Sequence, residues 1–513
     1  MRGREARNAG ACRAGDYFHC RRGRSTPAID TIERVSALQG TLCRPRQMLG
    51  LIVGSMLAVL GGCASGPSGP ETEPPTIQIQ FPQNDRYDRD GDGLVDIEVM
   101  FMDAGSGIDS GSLVIESNRV LGPMGSGTTD ILSAFTIREQ DSLHVILEET
   151  TESLLPPGVT RLHVEVTDRS GNKNQASFEI DLPAGDFHTF VPSPVPGRFP
   201  IGIEIVPLDP ESGDEAELVL LLSGFEILPF DPVALTFSDP IGTPFFSSPV
   251  AGEWDPGSRE LYIVSDVNAR LFPFDPAVLA FGPPVDVAAR GIGSSRGRSG
   301  RFYVALVTTP AKISVVDPAL EEEVAVIRTA IVDPLNPGQE AFIATPQPSL
   351  DEERLYVPLL VSPGGLVVVD VRTGQVLEHV DLDPTGLSMG KPVESAYDPQ
   401  DGLLYLSELH RPGGLVVFDT QNHSIVGRTV RGGVGGKFPT LSPSGRRVFL
   451  TLAADPPDPP ENWLLDSKSF ELLQRIPIDN IGSSGANGSV FRADGQLVFV
   501  ASGNGIAVYL NRE

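Results

Sequence analysis

Seven short apolar strand cores recur through the C-terminal two thirds of the chain, and this repeat limits the fold more than any other feature. They are Glu217-Leu-Val-Leu-Leu221, Glu260-Leu-Tyr-Ile-Val264, Arg301-Phe-Tyr-Val-Ala305, Arg354-Leu-Tyr-Val-Pro358, Leu403-Leu-Tyr-Leu-Ser407, Arg447-Val-Phe-Leu-Thr451 and Leu497-Val-Phe-Val-Ala501, spaced 41 to 53 residues apart. A second strand follows most of them and ends in an acid, at Asp231, Asp275, Asp317, Asp370, Asp419 and Asp466. Several are preceded by a tight turn, as in Ser442-Pro-Ser-Gly445 and Arg492-Ala-Asp-Gly495, where Gly adopts positive φ without penalty. Strand, turn, strand and strand at this period describe a four-stranded blade. Because no blade can bury both faces alone, blades must stack. The last unit, Ile506-Ala-Val-Tyr-Leu510, lacks the terminal acid, so closing a ring requires an outer strand from elsewhere, and Phe187–Val191 is the expected donor. The repeated acids are expected to cap the turns that follow them, with ligand binding as the alternative.

These residues resemble the YVTN-type seven-bladed β-propeller repeats, whose pattern joins a Ser-Pro-Asp-Gly turn to a Leu-Tyr-Val-Ala strand and a Val-x-Val-Ile-Asp strand. Ser395-Ala-Tyr-Asp-Pro-Gln-Asp-Gly-Leu-Leu-Tyr-Leu-Ser407 is the best match. The resemblance covers about 300 residues and implies a seven-bladed propeller over 185–513.

Ahead of the repeats, alternating segments at Ile77–Phe81, Ile97–Met102, Leu113–Glu116, Ala134–Arg138, Leu143–Glu148, Arg161–Val166 and Ala176–Ile180 predict a small β-sandwich over 76–182. The stretches His163-Val-Glu-Val-Thr-Asp-Arg-Ser-Gly-Asn172 and Met102-Asp-Ala-Gly-Ser-Gly-Ile-Asp109 resemble loops of bacterial Ig-like and fibronectin-like modules. The fold class expected is therefore all-β, an Ig-like β-sandwich followed by a seven-bladed propeller. One loop of the sandwich, Asp88-Arg-Asp90-Gly-Asp92-Gly93-Leu-Val-Asp96, spaces carboxylates two residues apart with Gly at the turn. A hard cation needs six or more oxygens, and alternate residues on a tight loop direct them to one point. Asp88, Asp90, Asp92 and Asp96 are the candidate ligands of a structural calcium ion, with an ordinary acidic turn as the alternative. The loop resembles EF-hand, dockerin and thrombospondin-type calcium loops but departs at the twelfth position, where Val99 stands for Glu and Glu98 comes one residue early.

The N-terminus carries an export signal. Arg44 and Arg46 precede an apolar run from Met48 that is short for a membrane span and ends in Leu60-Gly61-Gly62-Cys63. This ending resembles the lipobox of bacterial lipoproteins, which implies a signal peptide over 48–62 and a lipidated Cys63. Residues 1–47 form a doubtful, Arg-rich leader, and translation is expected to begin at Met48. Residues 63–75, rich in Gly, Pro and Ser, are expected to act as a flexible tether. By the same resemblance, Ala64 in place of Asp points to the outer membrane. Cys12, Cys20 and Cys43 fall in the leader, so the exported body has no thiol for disulfides, thiolate catalysis or a Cys-based zinc site.

Net charge is −28, from 39 basic and 67 acidic residues. Losing the first 62 residues, with 10 Arg and 4 acids, leaves 29 basic and 63 acidic residues, or −34. Nucleic acid is excluded as a partner, because affinity for phosphates comes from Lys and Arg.

No catalytic residues stand out. Gly293-Ser-Ser295-Arg-Gly297 fits a nucleophile elbow formally, but no helix follows, and a flexible loop is expected there. Gly432-Gly-Val-Gly-Gly-Lys437 fails as a phosphate loop because Phe438 replaces Ser or Thr. The six His of the exported body form no metal-spaced pair. Glu408, His410 and Arg411, just past a propeller strand, are the candidate ligand contacts. The function expected is an exported, lipid-anchored, monomeric binding or scaffold protein that engages a protein or glycan at the propeller face. A lactonase-type propeller hydrolase, or an adhesive spacer that binds through the sandwich, are the alternatives. Acids gathered around the central channel would favour an enzyme; small and apolar groups would favour a scaffold.

Overall fold

A computed structural model describes residues 72–513 except 84–85, 122–127, 141–143, 196–199, 209–215, 245–248, 309, 330, 332–341, 361–364, 383–391, 409–412, 432–435, 453–460 and 479–485. The leader, signal, Cys63, His410 and Arg411 lie outside the described residues. The described residues are nearly all β and belong to one compact unit. Among them no helix is long and apolar enough to cross a membrane.

Residues 76–182 form two antiparallel sheets. One runs Thr76–Phe81, Asp96–Met102, His144–Glu148, Thr136–Gln140 in spatial order, and the other Ile108–Ser117, Gly158–Asp168, Lys173–Leu182. Alternation along the strands sends Val95, Ile97, Val99 and Phe101 of the first sheet against Ile115, Leu162, Val164 and Val166 of the second, which makes one sandwich core. The fourth expected strand starts two residues late, because Asp130 caps the first turn of a short helix, Ile131–Ala134, by accepting from the Leu132 N–H.

Beyond the sandwich, seven antiparallel sheets succeed one another among the described residues. Their innermost strands are Pro200–Pro207, Pro249–Asp255, Gly291–Arg296, Gln347–Pro348, Pro392–Asp398, Gly436–Leu441 and Ala486–Phe491, in blades one to seven. Each blade packs beside the next, and the innermost strand of blade seven returns to that of blade one. The body is a propeller. Gly185–Pro192 pairs antiparallel with Gly505–Asn511 as the outer strand of blade seven, with Ile506 opposite Val191, so the expected closing segment does close the ring.

The repeated tyrosines have a structural purpose that the period alone does not reveal. Tyr262, Tyr356 and Tyr405 each donate a hydrogen bond from one blade to a carbonyl of the next, at Pro318 (3.3 Å), Thr420 (2.9 Å) and Ser467 (2.9 Å). Each acceptor directly follows one of the repeated Asp residues. Those Asp residues cap their own turns: Asp231 accepts from the Val233 and Ala234 amides, Asp275 from Ala277, Asp317 from Ala319, Asp370 from Thr373, Asp419 from Gln421 and Asn422, and Asp466 from Lys468 and Ser469. Four residues after each Asp the chain enters the left-handed region, at Leu235, Leu279, Glu321, Gly374, His423 and Phe470. The same five-residue turn is thus built six times, and the acids are occupied in building it.

Candidate functional site: the acidic wall of the channel

Seven innermost strands encircle the propeller axis, and their side chains alternate between the two neighbouring blades. On blade one, Ile203 faces blade seven, where it meets Gly488, so Glu204 faces blade two. There the Gly252 amide donates to Glu204 Oε1 at 3.0 Å. A Cβ at Gly252 would lie 3.0 Å from Glu204 Cγ and 2.9 Å from Leu261 Cδ1, so a side chain there would displace the carboxylate. Since Gly252 faces blade one, Glu253 faces blade three. Glu394 of blade five sits where the register slips between Pro392 and Ser395, a bulge of the kind that re-aims side chains. The Thr345 hydroxyl of blade four donates to Glu394 Oε2 at 3.3 Å.

These three glutamates share one wall and one electrostatic problem. Burial pushes the Glu204 carboxyl up to about 8, opposed by the Gly252 hydrogen bond and reinforced by the charge of Glu394. Burial pushes Glu394 up to about 7 against the Thr345 hydrogen bond. Burial, with the Glu204 charge added, lifts Glu253 well above the ordinary range, and Arg296 offsets only part of this. Arg296 has its own partner, Asp255, at 3.3 Å. The raised Glu204 and Glu394 carboxyls therefore titrate near neutral pH, and in their protonated form they both donate and accept hydrogen bonds.

Small groups complete the wall. Most of Gly293–Gly297, expected as a flexible loop, lies in Gly291–Arg296, the innermost strand of blade three. Its composition follows from crowding: a Cβ at Gly291 would meet Val264 and Val304, and one at Gly293 would run into Thr345. Ser295 Oγ donates to the Pro346 carbonyl. Ser294, on the opposite face of that strand, is buried and its hydroxyl has no hydrogen-bond partner among the described residues. No cysteine lies among the described residues.

The residues singled out by sequence lie elsewhere. In the sandwich loop, Asp88, Asp90 and Asp96 bring one oxygen each within 4.8 Å of one another, and Asp90 and Asp92 form a second such group with Glu148. Glu148 enters because it lies opposite Asp96 across the sheet. Glu98, adjacent to the EF-hand's twelfth position, is instead paired with Arg89 and His144. Positive φ at Gly91 and Gly93 folds the loop back on itself, so the Gly91 and Gly93 amides donate to Asp88 at 2.6 and 2.8 Å. Leu94 N donates to Asp92 and Arg89 N to Asp96. Burial raises the carboxyls of Asp92 and Asp96, and the charge of Asp90 adds to both. Five carboxylates fit a hard cation by donor type, although both oxygens of Asp88 and one each of Asp92 and Asp96 already serve the turn and Arg138 pairs with Glu148. Glu408 is buried, with both oxygens on Arg428 Nη2 at 2.9 and 3.1 Å, well separated in role from the wall glutamates.

Glu204, Glu253 and Glu394 escape a motif search because they share no spacing. The available signal is an acid beside apolar residues ahead of the apolar strand core, as in Ile203-Glu204-Ile205 and Gly252-Glu253-Trp254.

No family model matches the sequence, and no curated protein is similar to it. Among solved structures, the chain is similar to Kuenenia stuttgartiensis hydrazine synthase, at 15% identity over 62% of this chain and 97% of that one, with a TM-score of 0.48. It is also similar to the β-propeller domain of Cps50 (Swd1) from Myceliophteria thermophila, at 11% identity over 64% of this chain and 99% of that one, with a TM-score of 0.46.

Proposed function

We propose that this is an exported, monomeric binding protein, held at the outer membrane by lipid on Cys63, whose propeller receives a protein or glycan partner at its axial channel. The observation that supports this reading is the convergence of Glu204, Glu253 and Glu394 on the innermost strands, beside the small residues Gly252, Gly291, Gly293 and Thr345. Carboxyl groups that keep their protons offer a donor and acceptors at once, which suits the hydroxyl-rich end of a glycan. A net charge of −28 argues against a polyanionic partner. In this reading the sandwich is an Ig-like module, the blades are YVTN-type, and calcium on Asp88, Asp90, Asp92, Asp96 and Glu148 stiffens the sandwich loop.

A second reading, a lactonase-type hydrolase, is favoured by the same carboxyls. Values of about 7 and about 8 at Glu394 and Glu204 lie where a general base works near neutral pH. Affinity capture with the lipid-free fragment from Ala64 onward, with and without calcium, separates the two when run beside a lactone panel. Capture of a glycan or protein that Glu204→Gln weakens, with no turnover, supports binding. Turnover of a lactone that Glu394→Gln abolishes, with no partner recovered, reverses the order.

A further inference from the structure

The outer strand of blade seven is the most remote in sequence from the strand it joins, since Gly185–Pro192 must find Gly505–Asn511 across the length of the propeller. Closure over so long a loop carries the largest chain-entropy cost in the ring. Sandwich residues crowd this junction. Arg512, one residue past the third strand of blade seven, is 0% exposed in its side chain, as is its partner Glu149 of the sandwich. Its Nη1 donates to Glu149 Oε1 at 2.8 Å and to the Leu155 carbonyl at 3.1 Å, and its Nη2 to Glu149 Oε2 at 2.7 Å and the Gly93 carbonyl at 2.8 Å. Its own amide donates to the Ala184 carbonyl, at the foot of the closing strand. Glu149 is held in turn by the Val95 and Leu155 amides.

Further contacts run along the closing strand itself. Tyr87 donates to Asp186 Oδ2 at 2.6 Å, and His188 Nδ1 lies 2.9 Å from the Asp92 carbonyl. A Cβ at Gly93 would come 2.8 Å from the Phe187 carbonyl, so the sandwich loop presses directly on the strand's backbone. Leu94 and Leu154 of the sandwich pack in one cluster with Ile203, Val219, Phe499 and Leu510 of blades one and seven.

We infer that the sandwich is the lock on the propeller's ring: through Arg512–Glu149 and Tyr87–Asp186 it holds the closing strand in place and controls how often blade seven opens. Both Nη atoms of the buried guanidinium are satisfied, Nε alone having no partner among the described residues, and a buried charge that depends on Glu149 for its pairing makes the docked geometry specific. Opening of a ring at one seam is a local event, distinct from global unfolding.

Hydrogen exchange on the fragment from Ala64 onward tests this. Arg512→Met should speed exchange in 185–192 and 505–511 by about 10-fold or more, while 354–358 and 403–408 keep their wild-type rates. Tyr87→Phe removes one hydroxyl without altering packing and should speed the same two segments by about 5-fold. It also decides the matter should Arg512→Met fail to fold. Unchanged rates at 185–192, or an equal acceleration in blades two to five, would overturn the inference, because the contacts would then add general stability without guarding the seam.

Discussion

Glu204 and Glu394 give up hydration to reach the channel wall, and the loss is visible as a dependence on pH. A carboxyl whose folded pKa lies above its unfolded value of 4.5 binds its proton more tightly in the fold. Its favourable contribution is complete below pH 4.5 and is lost as pH rises through about 7 and about 8. The wild-type melting temperature is therefore expected to fall between pH 5 and pH 9. Glu204→Gln and Glu394→Gln, which stay uncharged throughout, should flatten that fall: each melts higher than wild type at pH 8 and close to it at pH 5 in calorimetry. A fall of equal steepness in both variants would mean that the carboxyls are solvated in the channel. The interblade tyrosines act by a different route. Tyr405→Phe loses the 2.9 Å bond to Ser467 and should cost about 1 kcal/mol in urea denaturation. Tyr262→Phe, whose bond is longer at 3.3 Å, should cost less.

In blades one to six the most regular element is the turn between third and fourth strands, where an Asp cap is followed four residues later by a left-handed residue. Leu235, Leu279, Glu321, His423 and Phe470 tolerate φ between 50° and 61° because their side chains find room or a neighbour, as His423 does between Tyr356 and Phe418. Gly374 differs, since a Cβ there would stand 2.5 Å from the Arg328 carbonyl of blade three. Gly374→Ala combines that clash with the left-handed penalty and should destabilise by about 2 kcal/mol, whereas Leu279→Gly should stay within about 1 kcal/mol of wild type, both read from denaturant midpoints. These elements also mark the limit of what the residues alone reveal. The second and third strands announce themselves through apolar cores that end in Asp, and the capping role of those acids follows from turn chemistry. The innermost strands carry no such mark. Gln347–Pro348 is two residues long, and Gly291–Arg296 is so rich in Gly and Ser that it reads as a loop, although crowding by Val264 and Thr345 is what demands those residues. The wall glutamates lie on just these strands, so a site assembled from blades one, two and five becomes apparent only when the ring brings them together.

At the scale of the whole molecule, negative charge is concentrated where the sandwich meets blade seven. Asp88, Asp90 and Asp92 of the loop gather with Asp96 and Glu148 of the adjoining strands, and the loop's Gly93 presses on the closing strand next to Asp186. Repulsion among these acids opposes the fold at that corner, and Arg138 answers it only in part by pairing with Glu148 and Asp90. A divalent cation held there would relieve the repulsion and stabilise the joint by mass action, by about 2.7 kcal/mol at 100 times its dissociation constant. For a chain of this size, millimolar calcium should then raise the melting temperature by about 2–5 °C over a chelator-treated sample. Asp90→Asn is the informative variant, because Asp90 belongs to both carboxylate groups and caps no turn among the described contacts. It should melt at or above the chelated wild type and no longer respond to calcium. Identical melting of the wild type with calcium and with chelator would assign the loop to turn-building alone, its carboxylates occupied by the Gly91, Gly93, Leu94 and Arg89 amides.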